Sequence, residues 1–98
     1  MAIIFEWDAK KAEANKLKHG ISFDDAQTAF FDENALIIAD TDHTIFSEER
    51  FVLLGMNTKA KLLVVCHCYR QSEDIIRIIS ARQANRKEQT QYFQRWSL

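Results

Sequence analysis

The chain has 98 residues, of which 47% are hydrophobic and 28% charged, with two Gly and no Pro. This composition describes one small domain with enough apolar surface to offset the entropy of ordering, and it excludes an intrinsically disordered chain. At this length roughly two-thirds of the unfolded surface is buried, so no metal or disulfide staple is required. The net charge of −1 conceals an imbalance. Residues 1–49 carry four Lys/Arg against eleven Asp/Glu (−7), and residues 50–98 carry nine against three (+6). Five of the six Arg lie between Arg70 and Arg95. A basic half rich in Arg points to a phosphate-bearing or acidic partner, because guanidinium binds phosphate bidentately. No apolar run spans a bilayer, and Met1–Trp7 has neither the basic start nor the apolar stretch of an export signal. The expected location is therefore the cytoplasm, with no membrane contact and with Cys66 and Cys68 reduced. Two apart on a strand, their Cα atoms would lie about 7 Å apart, poorly placed for a disulfide.

Ala2–Trp7, rich in Ile and aromatics, predicts a strand. Asp8 reads as an N-cap for a helix over Ala9–Lys18, and Gly20 suits the left-handed position that ends it. Ser22 caps a second helix, with Asp24 and Asp25 favouring its first turn and Phe23, Ala26 and Phe30 on one apolar face. Ala35–Ala39 predicts a short strand, Asp40–Ser47 a polar turn, and Arg50–Met56 a strand. Asn57–Ala60 reads as a turn, Lys61–Tyr69 as a strand, Gln71–Asp74 as a tight connection and Ile75–Ala81 as the last strand. Asn85 and Glu88 form a capping box that opens a helix carrying Tyr92, Phe93 and Trp96. Nothing marks a linker or repeat, so residues 1–98 form a single domain. The order β-α-α-β-β-β-β-α predicts an α+β fold on an antiparallel sheet.

Alternation along Lys61–Tyr69 places His67 and Tyr69 on one face, and Cys66, Cys68 and Arg70 on the other. Pairing Tyr69 with Ile75 sets His67 against Arg77, giving a polar face of His67, Tyr69 and Arg77. Cys66, Cys68, Ile76 and Ile78 then face the core. A one-residue slip would instead put Arg77 beside Cys68. Cys66-His67-Cys68 is not a metal site, because thiols and imidazole on opposite faces cannot chelate one ion. No cofactor is expected: two Gly cannot build a nucleotide-binding loop. Asn15, Lys18 and His19 line one side of the first helix; cations there complement the helix C-terminus or contact phosphate. Arg82, Arg86 and Lys87 lie around the start of the last helix, where cations help no dipole and a phosphate or carboxylate partner is expected.

Phe5-Glu6-Trp7-Asp8, Lys11, Asn15, Lys18-His19-Gly20, Phe23, Glu49-Arg50 and Gly55 resemble the BrnT toxin family. The most specific run is Ile76-Arg77-Ile78-Ile79-Ser80-Ala81-Arg82, followed by Ala84, Glu88 and Tyr92. The chain departs from the family at Cys66-His67, where many members carry Tyr-Thr, and at Gln89 and Gln91, where basic residues are usual. The resemblance implies a RelE-like fold, a ribonuclease toxin that stops translation, and a BrnA-like ribbon-helix-helix antitoxin. It also implies a 2:2 complex and contact with operator DNA only through the antitoxin. Cleaving RNA without a metal requires a base, an acid and positive charge on the phosphate. Lys18 or His19 is a candidate base or electrostatic group. Arg77 and Arg82 are candidates for holding the phosphate, with Arg70, Arg86 and Lys87 as further RNA contacts, and His67 and Tyr92 are the alternative proton carriers. The rival reading is a non-catalytic protein- or DNA-binding partner in a repressor complex.

Overall fold

A computed structural model gives the structure of the chain and describes residues 2–40 and 49–94. Apart from Asp40, the polar turn expected over Asp40–Ser47 lies outside the described residues, as does Trp96. Strand β1 (Ile4–Glu6) leads into helix α1 (Ala9–His19), helix α2 (Phe23–Gln27) and a 3-10 turn (Thr28–Phe31). Strands β2 (Leu36–Ala39), β3 (Phe51–Met56), β4 (Leu62–Arg70) and β5 (Ser72–Gln83) follow, and α3 (Arg86–Gln94) comes last. This is the expected order. The sheet runs β1-β5-β4-β3-β2. Strands β2 to β5 form an antiparallel meander, but β1 pairs with β5 in parallel, Ile4 opposite Ile75 and Glu6 opposite Arg77. The sheet is therefore mixed rather than wholly antiparallel.

The helix ends follow the residues chosen for them. The Asp8 side chain accepts from Lys11 N at 3.0 Å, and Ser22 Oγ accepts from Asp25 N at 3.1 Å. Gly20, at φ 73°, ends α1 in the left-handed region, where the lack of a Cβ removes the usual penalty. The capping box is reciprocal: Glu88 N donates to Asn85 Oδ1 at 2.9 Å, and Asn85 N donates to Glu88 Oε1 at 2.8 Å.

Helix α1 owes little to apolar packing, since Asn15 is its one buried residue. Asn15 Nδ2 donates to Ile21 O and Ala81 O, each at 2.9 Å, and its Oδ1 accepts from Ala81 N at 3.0 Å. Strand β1 covers the edge of β5 only as far as Arg77. Beyond it the Asn15 amide supplies both a donor and an acceptor, as a neighbouring strand would.

The main core lies between α1, α2 and the 3-10 turn on one side and one sheet face on the other. Phe23, Ala26, Leu53, Leu63, Val65, Ile78 and Ala81 form its centre. Gly55 permits the close approach of the 3-10 turn: a Cβ there would lie 2.8 Å from Ala29 O and 2.9 Å from Leu53 Cδ2. On the other face α3 lays Tyr92 against Leu54, Leu62, Val64 and Ala84.

The β4–β5 register differs from the expected one. At the tip Arg70 lies opposite Ser72 with Gln71 alone at φ 65°, and residues 73–75 of β5 then pass without a β4 partner before the ladder resumes. Tyr69 pairs with Ile76, Cys68 with Arg77 and His67 with Ile78. This one-residue slip sends Arg77, Cys66 and Cys68 to the face opposite the main core and turns His67 into the core. A bulge then inserts an extra residue between Ile78 and Ser80, which lets Ile76, Ile78 and Ala81 all point inward. The driving force is apolar: β5 buries Ile76 and Ile78 under the helices, with an arginine between them that must point the other way.

Candidate functional site: an arginine-lined sheet face

Among the described residues, the sheet face away from α1 and α2 is covered in part, by α3. Alternation places Arg77 and Arg82 on it with Cys66 and Ser80. A shallow cleft of about 240 Å³ lies here, bordered by Asp40, Arg50, Cys66, Ser80 and Arg82 and floored by Val52 and Val64. It is smaller than the roughly 300–1,000 Å³ of sites that enclose a small molecule, so it suits a group presented by a larger ligand.

Both strand arginines are held by carboxylates. Arg77 Nη1 donates to Glu6 Oε2 at 3.1 Å, a contact made possible by the parallel pairing of β1 with β5. Arg82 Nη1 and Nη2 donate to Glu88 Oε1 and Oε2, each at 2.8 Å. This fork holds the Glu88 carboxyl below its ordinary pKa and keeps the Arg82 guanidinium charged. Glu88 thus caps α3 and aims Arg82 at the same time. The Arg82 side chain remains 41% exposed and Arg77's 29% exposed, so solvent-borne ligands reach both.

The other expected site residues scatter. His67 is 0% exposed, a correction to the polar face expected for it. Its ring lies among Phe30, Phe51 and Tyr69, with the Phe30 centroid at 4.8 Å. Nδ1 lies 3.1 Å from Val65 O, so it carries the proton of a neutral ring, and Nε2 has no partner. Burial lowers its pKa. Tyr92 is also buried, with its hydroxyl donating to Asp32 Oδ2, the same oxygen that accepts from Met56 N. It is a tie between α3 and the loop before β2. Lys18 and His19 are exposed at the end of α1, on the side that Asn15 fixes to β5. Arg70 is exposed at the hairpin tip, and Arg86 and Lys87 are exposed in the first turn of α3.

Sequence reasoning did not identify Arg50, Glu6 or the second role of Glu88. Glu6 becomes visible only once β1 is known to lie beside β5. The Glu88–Arg82 pair was open to detection, because a capping-box glutamate six residues after a strand arginine folds back beside it.

Chemically the face offers fixed guanidinium groups with coplanar donors, which suit a phosphodiester. Among the described residues, no three His, Cys, Asp or Glu side chains gather to hold a metal ion.

The family model described as "Ribonuclease toxin, BrnT, of type II toxin-antitoxin system" matches residues 7–88. Among solved structures the chain is similar to the ribonuclease toxin BrnT of Brucella abortus, at 23% identity and a TM-score of 0.60. That match covers 88% of this chain and 99% of the other. At that identity it speaks to the fold. Comparison with curated protein sequences returns no match. The chain belongs to the BrnT family and is a ribonuclease toxin of a type II toxin–antitoxin system.

Proposed function

We propose that RNA is cut on the arginine-lined face, by attack of its own 2′-hydroxyl on the adjacent phosphate and without a metal ion. The observation that carries this reading is the placement of Arg77 and Arg82 on one open face, each oriented by a carboxylate. The 2′-oxygen loses its proton to a base and bonds to phosphorus. The 5′-oxygen leaves with a proton from an acid, so a 2′,3′-cyclic phosphate and a 5′-hydroxyl result. Charge grows on the non-bridging oxygens in the transition state, and pre-oriented guanidinium donors stabilise it most there. His67 is buried on the opposite side of the sheet, and Tyr92, which packs against this face, has its hydroxyl tied to Asp32. His19 and Lys18, at the end of α1 beside the β5 edge that carries Arg82, are the base and the further charge or proton carrier of this reading. Arg70, Arg86 and Lys87 contact flanking phosphates and add salt-dependent affinity.

The toxin acts in the cytoplasm, and no helix among the described residues is long and apolar enough to cross a membrane. Its partner is a BrnA-like ribbon-helix-helix antitoxin in a 2:2 complex, which reaches operator DNA through the antitoxin. The test is cleavage of a single-stranded RNA by the purified protein in excess EDTA, with the product ends analysed. Cyclic phosphate ends in EDTA are expected. Cleavage that EDTA abolishes and a divalent ion restores, or that leaves 5′-phosphate ends, contradicts the mechanism.

A further inference from the structure

Strand β2 is the edge of the sheet, hydrogen-bonded to β3 on one side only. Among the described residues no element covers either face of it. Ile37 is 50% exposed on one side of the sheet and Ile38 64% exposed on the other. Protein edges are normally blunted by Lys, Pro or a bulge, because an apolar strand with unpaired backbone groups recruits another chain. None of these devices occurs in Leu36–Ala39.

Beside this edge, between the sheet and α3, lies an apolar groove of about 180 Å³ bordered by Leu36, Ile38, Leu54 and Gln91. Val52 and Val64 form part of this groove and also floor the arginine-lined cleft, so the two are one continuous depression. It runs from an apolar end at the free edge, past Glu88 on its wall, to an end where Arg50 and Arg82 stand with Asp40.

We propose that the β2 edge and this groove seat an extended segment of the antitoxin, which adds a sixth strand to the sheet, places an aliphatic side chain in the groove and extends carboxylates over the arginine cleft. The proposal rests on the toxin reading above and names how that site is covered. Backbone pairing supplies the register, the aliphatic anchor most of the affinity and the acidic groups specificity and encounter rate. Charge complementarity favours this occupant over a second copy of the chain. A second β2 running antiparallel would bring the Asp40 end of each strand toward the acidic Asp32–Glu33 segment that precedes the other, whereas carboxylates of another chain meet Arg82.

The experiment titrates the protein encoded by the adjacent gene into the full-length toxin, comparing wild type with Ile37→Lys/Ile38→Lys by calorimetry. Cleavage of single-stranded RNA is measured in parallel. The expected result is binding weakened at least a hundredfold in the double variant, with RNA cleavage unchanged. If the double variant does not fold by circular dichroism, Ile38→Thr keeps a β-branched residue and is expected to weaken binding at least fivefold. Three results overturn the proposal: unchanged binding in a folded variant, loss of RNA cleavage with binding retained, or no binding by wild type. The second would assign the groove to RNA. Light scattering on the toxin alone adds one more, since a wild-type dimer that the substitutions split would assign the edge to a second copy. Binding is read independently of cleavage, so a wild-type chain that binds the adjacent product but cuts no RNA refutes the toxin mechanism and leaves the docking surface standing.

Discussion

Replacing Asn15 with Ala tests how α1 is held. The side chain makes three hydrogen bonds, to Ile21 O, Ala81 O and Ala81 N, all with buried partners. At about 1 kcal/mol net for each bond the loss is about 3 kcal/mol, and the orphaned buried groups of Ala81 push it upward. For a domain of this size 1 kcal/mol shifts Tm by about 4–8 °C, so Tm should fall by about 12–24 °C. The effect is local as well as global. The Ala81 amide, which donates only to Asn15 at this edge, should exchange faster in the variant than other β5 amides, and this is readable by hydrogen exchange. RNA cleavage measured well below the new Tm should also drop, because Ala81 precedes Arg82 on the strand. A Tm within about 3 °C of wild type, with Ala81 still protected, would falsify the view that one amide substitutes for a neighbouring strand.

Gly55→Ala should destabilise by about 1–3 kcal/mol through overpacking against Ala29 O and Leu53, measured by urea denaturation. His67 has a lowered pKa because its burial disfavours the charged ring. The unfolded chain therefore binds the proton first, and stability falls as pH drops below about 6.5, by up to about 1.4 kcal/mol per pH unit. His67→Phe should flatten that acid limb of the Tm–pH curve and cost about 1 kcal/mol at pH 7.5 through the lost Nδ1 bond to Val65 O, Nε2 having no partner to lose; an unchanged limb would show that other groups produce it. Glu88→Gln should lower RNA cleavage mainly through kcat by releasing Arg82, with partial recovery in Glu88→Asp, and a variant that loses only stability would reduce Glu88 to a helix cap.

The helices were legible because each cap is a local matter: Asp8, Gly20, Ser22 and Asn85 with Glu88 act within a turn of themselves. The order of elements followed from the same punctuation. The register of β4 on β5 was not legible, because it depends on two irregularities of β5: residues 73–75 lie between the Arg70–Ser72 and Tyr69–Ile76 pairs, and a bulge follows at Ile79. Treating His67 as polar and placing Cys66 and Cys68 on its opposite, inward face made the wrong register look better segregated; Cys68 is fully buried as expected, but on the face opposite the main core. In fact the ring is neutral and sits among aromatics, where its one Nδ1 bond suffices. The parallel partnership of β1 with β5 is non-local by 71 residues at Glu6 and Arg77, and no pattern within either strand announces it. For that reason the sequence pointed to Arg77 and Arg82 as site residues but not to the carboxylates that aim them.

The central claim is that the guanidinium groups of Arg77 and Arg82 stabilise the phosphate during cleavage. The most direct measurement is the single-turnover rate of RNA cleavage by Arg77→Ala and Arg82→Ala, on protein shown to be folded by its thermal transition. Loss of a pre-oriented donor to the transition state predicts a fall of about a hundredfold to a thousandfold in each. A folded Arg77→Ala and a folded Arg82→Ala that both cut RNA at the wild-type rate would contradict the account, and the catalytic surface would then have to be sought away from this face.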